Sequence, residues 1–239
     1  MLKILIGLYV FFNSNNGVNG NQLANYVDAN VKTARKFSKK CRILMAESNN
    51  SKILQSSFYE IDILEIGGHH KGKRGKDSEN KQPTLLILST LEDNNYPQYV
   101  KLHTLTNYKG EPIEEYLKEK CLFDPTIVIN CDRDKAFFCL NKLAQLENSV
   151  VDYTKENHKL KWLNTFIGNI QSNINHLYRL VKKRDLPLFL SEQEWRINHR
   201  YSGKRIMDKV KKYISMSTPV TFKQITNSVL AYEKQFLSA

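Results

Sequence analysis

The four cysteines, Cys41, Cys121, Cys131 and Cys139, include no C-x-x-C pair and no dense framework. That spacing excludes a zinc ribbon and a secreted disulfide scaffold, and a reducing cytoplasm is the simpler setting. Long apolar runs are missing as well. The opening LKILIGLYVFF is too short to span a bilayer as a helix. It resembles a signal-peptide core but lacks a strongly basic start, and Asn13 to Asn16 offer no small-residue cleavage site, so export is not expected. Acidic residues are the scarcer sign, 24 Asp and Glu against 36 Lys and Arg, for a net charge of +12. Such a balance suits a polyanion such as nucleic acid better than a small neutral ligand, although on charge alone a membrane surface fits too. With 239 residues, 41% of them hydrophobic, the chain has enough apolar material for one sizeable core and a small appended domain.

Leu2 to Phe12 reads as an apolar helix and NSNNGVNG, Asn13 to Gly20, as a break. A short helix with Leu23, Ala24 and Val27 then meets a polar turn at Asp28 to Asn30, and a second helix follows. That helix carries Lys32, Arg35, Lys36, Lys39, Lys40 and Arg42 with no acidic residue among them, and its core face is Ala34, Phe37 and Cys41. The pattern fits a helix-turn-helix whose second helix seeks a DNA groove, or a solvated basic helix in a three-helix bundle. Glu47 to Ser56 is polar and reads as a linker.

From Ser57 the period changes to two. In SFYEIDILEIGG the alternation predicts a strand on which Asp62 shares a face with Glu60. A carboxylate in an apolar strand needs a positive partner, for which a divalent metal is a common choice, or an edge position open to water. His69 to Gln82 is a basic loop whose Lys71, Lys73 and Arg74 either touch phosphate or form a solvated hairpin tip. His69 and His70 do not read as a metal pair, because adjacent strand residues point to opposite faces.

Pro83 to Leu91 and Tyr99 to Leu105 are two more strands on short connections, which predicts an antiparallel meander. Helix Glu111 to Cys121, strand Pro125 to Asp132, helix Lys135 to Leu146 and a strand near Val150 and Val151 add parallel crossover units, giving an α/β mixed sheet. Asp132 ends a strand where open sheets place ligands, and Asp134 is available to cap the next helix. Two aspartates on neighbouring strands would suit magnesium or manganese. Lys159 to Lys183 reads as one long helix with an apolar stripe from Leu160 to Val181, and Asn164 and Gln171 line one flank of it. Leu186 to Tyr201 is helical, with Trp195 as a core anchor. Its Arg196 and Arg200 either grip phosphates or pair with Glu192. A basic stretch, Lys204 to Lys212, and a helix from Thr221 to Leu237 finish the chain.

The segments DILEIGG (Asp62 to Gly68), CDRDKAF (Cys131 to Phe137), WLNTFIGNIQS (Trp162 to Ser172) and FLSEQEWRINHR (Phe189 to Arg200) resemble those of the Merlin-type (ISXO-two-like) transposases of bacterial insertion sequences and their eukaryotic relatives. The likeness runs from the helix-turn-helix through Arg200. It implies a ribonuclease-H-like catalytic domain over residues 57–200, preceded by a helix-turn-helix domain over 1–48 and followed by a helical extension over 201–239. By this match the catalytic, metal-binding set is Asp62, Asp132 and Asn164 with Mg2+ or Mn2+. The family's DNA-contacting lysine falls on Gln171, and Ile63 stands where an acidic residue usually follows the first aspartate.

The resemblance implies an enzyme that binds terminal inverted repeats and target duplex, cleaves and joins DNA strands, and works as a homo-oligomer on DNA. It implies no membrane and a cytoplasmic, nucleoid-associated location, or a nuclear one in a eukaryotic host. The expected DNA contacts are Lys32, Arg35, Lys36, Lys39, Lys40, Lys71, Lys73, Arg74, Gln171, Arg196 and Arg200. The alternatives are a catalytically silent DNA-binding remnant and a structure-directed nuclease without a joining step.

Overall fold

The computed structural model describes residues 2–67, 81–91, 96–132, 134–148, 160–179 and 181–200, with isolated positions between Met207 and Ser215. The expected basic loop bearing Lys71, Lys73 and Arg74, the strand near Val150 and Val151, and the helix over 221–237 lie outside the described residues. The chain divides into two compact units. The first takes the chain up to Ser51 and resumes at Ser172, and the second runs over Lys52–Gln171.

In the first unit, α1 (Leu2–Asn13), α2 (Gly20–Val27) and α3 (Val31–Asn50) follow the expected breaks. Asn19 caps α2 by accepting the N–H groups of Asn21 and Gln22, while the Gln22 side chain takes the Asn19 N–H, a reciprocal capping box. Asp28, left-handed at φ 46°, ends that helix, and Asn30 starts the next by accepting the Lys32 N–H at 2.8 Å. Helix α3 runs further than expected, into the segment read as a linker. There the Asn49 side chain donates to the Ser191 carbonyl at 2.9 Å, so packing on α6 (Leu186–Asn198) holds the added turn. Ala34 and Cys41 are buried with Phe11, Phe12, Leu23, Met45 and Trp195, and Phe37 packs against them.

The second unit is built on a five-stranded sheet of order β3-β2-β1-β4-β5. Strands β1 (Phe58–Ile66), β2 (Gln82–Thr90) and β3 (Pro97–Thr104) form the antiparallel meander. After α4 (Gly110–Lys120), strand β4 (Val128–Cys131) joins the other edge of β1 in parallel, and β5 (Gln145–Asn148) extends it. This is an α/β fold of the ribonuclease-H-like type, with N-terminal helices before it. One face of the sheet puts Tyr59, Ile61, Leu85, Ile87, Ile129 and Cys131 in a core with Ile113 and Leu117 of α4, and with Phe137 and Leu140. Each large apolar side chain buried there contributes roughly 1.5–3 kcal/mol. Helix α5 (Lys161–Ser172) closes the second unit.

Two helices differ from expectation. Lys135–Lys142 is a 3-10 helix, capped by Asp134 through the Ala136 N–H at 3.0 Å, and it gives way to β5 at Gln145. The long helix read over Lys159 to Lys183 stops at Ser172, widens into a π turn over Asn173–Tyr178 and ends at Arg179 with φ 47°. Side-chain bonds to α6 account for the widening: Asn173 donates to Gln193 at 2.9 Å and the Tyr178 hydroxyl to Glu192 at 2.6 Å. Helix α6 itself, assigned from sequence to the 57–200 domain, packs on α3 in the first unit.

Candidate active site

Strand alternation decides which way Asp62 points. Tyr59 and Ile61 are committed to the core beneath α4, so Glu60 and Asp62 project from the opposite face. That face is covered by α5, since the Leu163 N–H donates to Glu60 Oε2 at 3.2 Å. Strand β4 runs parallel to β1 with Glu60 opposite Asn130 and Ile61 opposite Cys131. Carried one residue further, that register sets Asp62 beside Asp132. Both charges are felt at the Cys131 thiol, whose pKa is pushed up to about 12 by burial first, then by Asp132 and Asp62.

Each aspartate is oriented by its own backbone. Asp62 Oδ1 accepts the Ile63 N–H at 2.7 Å, and Asp132 Oδ1 accepts the Asp134 N–H at 3.0 Å. Both side chains are half-buried. Helix α5 is tied to β1 at two points, Leu163 to Glu60 and Gln171 Nε2 to the Glu65 carbonyl at 3.4 Å. Those ties bracket Asp62 on the strand and Asn164 on the helix. Among the described residues the Asn164 carboxamide nitrogen is buried with no hydrogen-bond partner. Among the described residues, no three His, Cys, Asp or Glu side chains gather into a metal-binding group.

The model of the family described as the ISXO2-like transposase domain matches residues 58–198. The chain belongs to that family. No curated protein matches it. The matched span of this transposase begins on the first residue of β1 and ends on the last of α6. It therefore starts later than the sequence likeness, which included the N-terminal helices.

The basic residues of the transposase divide into two groups. Lys32, Arg35, Lys36 and Lys40 are exposed on α3, while Lys39 is half-buried and pairs with Asp185 at 3.4 Å. Arg35 and Lys39 border a cleft of about 850 Å³ within the first unit, together with Asn19, His176 and Arg179. Arg42 and Arg196 are buried instead, and of the two alternatives for Arg196, phosphate or Glu192, it takes the pairing with Glu192. Arg42 Nε donates to Glu192 at 2.6 Å, and its guanidinium lies 3.9 Å from the centre of the Phe189 ring. Arg196 donates to Glu192 and to the carbonyls of Phe11 and Ser14. Burial works against charge on Glu192, but Arg42 and Arg196 hold its pKa below the ordinary carboxylate value. Arg200 donates to the Ile197 carbonyl at 2.7 Å. Lys71, Lys73 and Arg74 lie outside the described residues.

Glu60 is the residue whose weight sequence reasoning missed. It is 1% exposed, and burial pushes its pKa up to about 7 against the opposing effect of the Leu163 N–H. The signal was available as a second acidic residue on the Asp62 face. Among the described residues, no helix is long and apolar enough to cross a membrane.

Proposed function

We propose that this chain is a DNA transposase that binds terminal inverted repeats through α3 and cleaves and joins DNA strands at Asp62, Asp132 and Asn164. The parallel register that sets Asp62 beside Asp132 carries the reading. The donor set fits a hard divalent cation, Mg2+ or Mn2+: two carboxylates in register and the carboxamide oxygen of Asn164, with remaining oxygens from water or phosphate. A cation bound there supplies Lewis acidity, easing deprotonation of the attacking hydroxyl or water and countering charge on the leaving oxygen.

The protein's own residues do the rest. Asp62 and Asp132 concentrate negative charge on the central part of the sheet, half-buried, where it is screened less than in water. Their bonds to the Ile63 and Asp134 N–H groups fix the carboxylates before substrate arrives. Asn164 adds a neutral oxygen, so the site carries less negative charge than one built on three carboxylates. Lys32, Arg35, Lys36, Lys39 and Lys40 draw in the phosphate backbone, and base contacts from the same helix select the repeat. Two ends held together imply a homo-oligomer on DNA, in the nucleoid or, for a eukaryotic host, the nucleus.

The test is cleavage of duplexes carrying the sequences that flank the gene, with Mg2+ or Mn2+ and a supplied 3′ hydroxyl end to register joining. Asp62→Asn and Asp132→Asn are each expected to cut cleavage by more than about a hundredfold, beyond what outer-shell changes cost, while repeat binding persists. Unchanged cleavage by either variant would exclude this site. A second reading, a DNA-binding remnant that no longer cuts, is favoured by Gln171, whose amide is spent on the Glu65 carbonyl where the family presents a lysine to DNA. Binding of the flanking repeats without metal-dependent nicking identifies it.

A further inference from the structure

Glu60 is a buried carboxylate with no cation paired to it among the described residues. It is 1% exposed, and the hydrogen bond it makes is to a backbone amide, the Leu163 N–H, at 3.2 Å. That amide is one of the donors a helix leaves unsatisfied in its first turn, since the next, Asn164 N–H, already reaches the Leu160 carbonyl. A carboxylate is a strong partner there, favoured by charge assistance and by the helix dipole. The start of α5 is also constrained from the other side. Leu160 is buried and adopts φ 71°, a left-handed conformation that a branched residue keeps only where its surroundings over-determine it. In register, Glu60 and Asn130 form the rung directly behind Asp62 and Asp132.

We propose that Glu60 is a positioning residue: by accepting the Leu163 N–H it fixes the first turn of α5 on β1, and so sets where the adjacent Asn164 carboxamide stands relative to Asp62 and Asp132. This rests on the reading of those three residues as the cation site. Glu60 does not itself touch the cation; it acts through the helix. The device explains how a third ligand on a helix is held to two ligands on strands, the tie being made at Leu163 and the ligand standing on the next residue. An amide of the same length performs the task as well as a carboxylate, because an acceptor oxygen at that reach is what α5 requires. A shorter or apolar side chain does not.

The full chain is tested with Mn2+ alone, by calorimetric titration, and without metal, by hydrogen exchange at the Leu163 amide. Glu60→Met keeps the volume and removes the acceptor, Glu60→Asp keeps the charge and loses the reach, and Glu60→Gln keeps the acceptor. The Met and Asp variants are expected to bind Mn2+ about 10–100-fold more weakly than the parent, as outer-shell losses do, with Leu163 exchange at least about tenfold faster. The Gln variant is expected within about threefold of the parent on both readouts. Should the Met variant not fold, the Asp and Gln variants carry the comparison. Parental Mn2+ affinity in the Met or Asp variant overturns the proposal and leaves the cation site standing. A Gln variant as weak as Asp62→Asn makes Glu60 a ligand and overturns it as well. A parent chain that binds no Mn2+ overturns both.

Discussion

The His103 imidazole lies flat on the Tyr116 ring, with centroids 3.9 Å apart and planes 14° from parallel. Burial lowers its pKa to about 4, with Glu119 opposing and Lys120 assisting. A histidine held neutral in the fold is protonated first in the unfolded chain, so its stabilising effect is complete above the ordinary value of 6.5 and is lost as pH falls from 6.5 towards 4. At about 1.4 kcal/mol per pH unit, that loss is at most roughly 3 kcal/mol. His103→Phe keeps the stacked ring and removes the proton site. Its unfolding free energy should therefore fall less than the parent's between pH 6.5 and 4 in urea titrations, and parallel curves would contradict the assignment. Individual residues were unevenly legible in the sequence. Asp62 and Asp132 stood out because an acid in an apolar strand breaks a pattern with a cost attached. Arg196 showed its partner through the spacing of four to Glu192, whereas Arg42 gave no sign of its burial, since that carboxylate reaches it from beyond the intervening sheet sequence.

That shared carboxylate makes α3 and α6 one packing element in energetic terms. Glu192 is fully buried between two guanidiniums and accepts the Tyr178 hydroxyl as well. Removing it leaves two cations in a low-dielectric interior, which costs about 3–5 kcal/mol when a buried pair is broken from one side. Glu192→Ala should accordingly lower the melting temperature of the full chain by several degrees, while removing the exposed Glu47 side chain should leave it nearly unchanged; equal effects would mean the network contributes nothing. Strands β1 to β4 were legible because period-two alternation and glycine or proline boundaries are local signals, whereas β5 begins where a helix was expected to end. The end of α5 was not, because the apolar spacing runs on through Ile170 and Ile174, both buried. What stops the helix is a set of bonds to α6, and these are tertiary.

For the whole molecule, net charge of +12 becomes a quantitative expectation about salt. If α3 meets the phosphate backbone, Lys32→Ala and Lys36→Ala should weaken binding to any duplex uniformly and each reduce the slope of log affinity against log salt by about 1. Arg42→Ala should leave that slope alone and lower stability instead, and a drop in slope on its removal would place it at the DNA. The mixed α/β sheet, an antiparallel meander with parallel crossover strands, was within reach of the sequence, whereas the division into units was not, since α6 is separated in the chain from the helices whose core it completes. That separation has a temporal side. Leaving the ribosome, α1, α2 and α3 have no Trp195 to cover Phe12 and no Glu192 to neutralise Arg42 until the entire sheet has been made, a wait on the order of ten seconds at ordinary elongation rates. Nascent chains interrupted before Leu186 would thus carry a finished sheet and an amino-terminal bundle without the helix that completes its core.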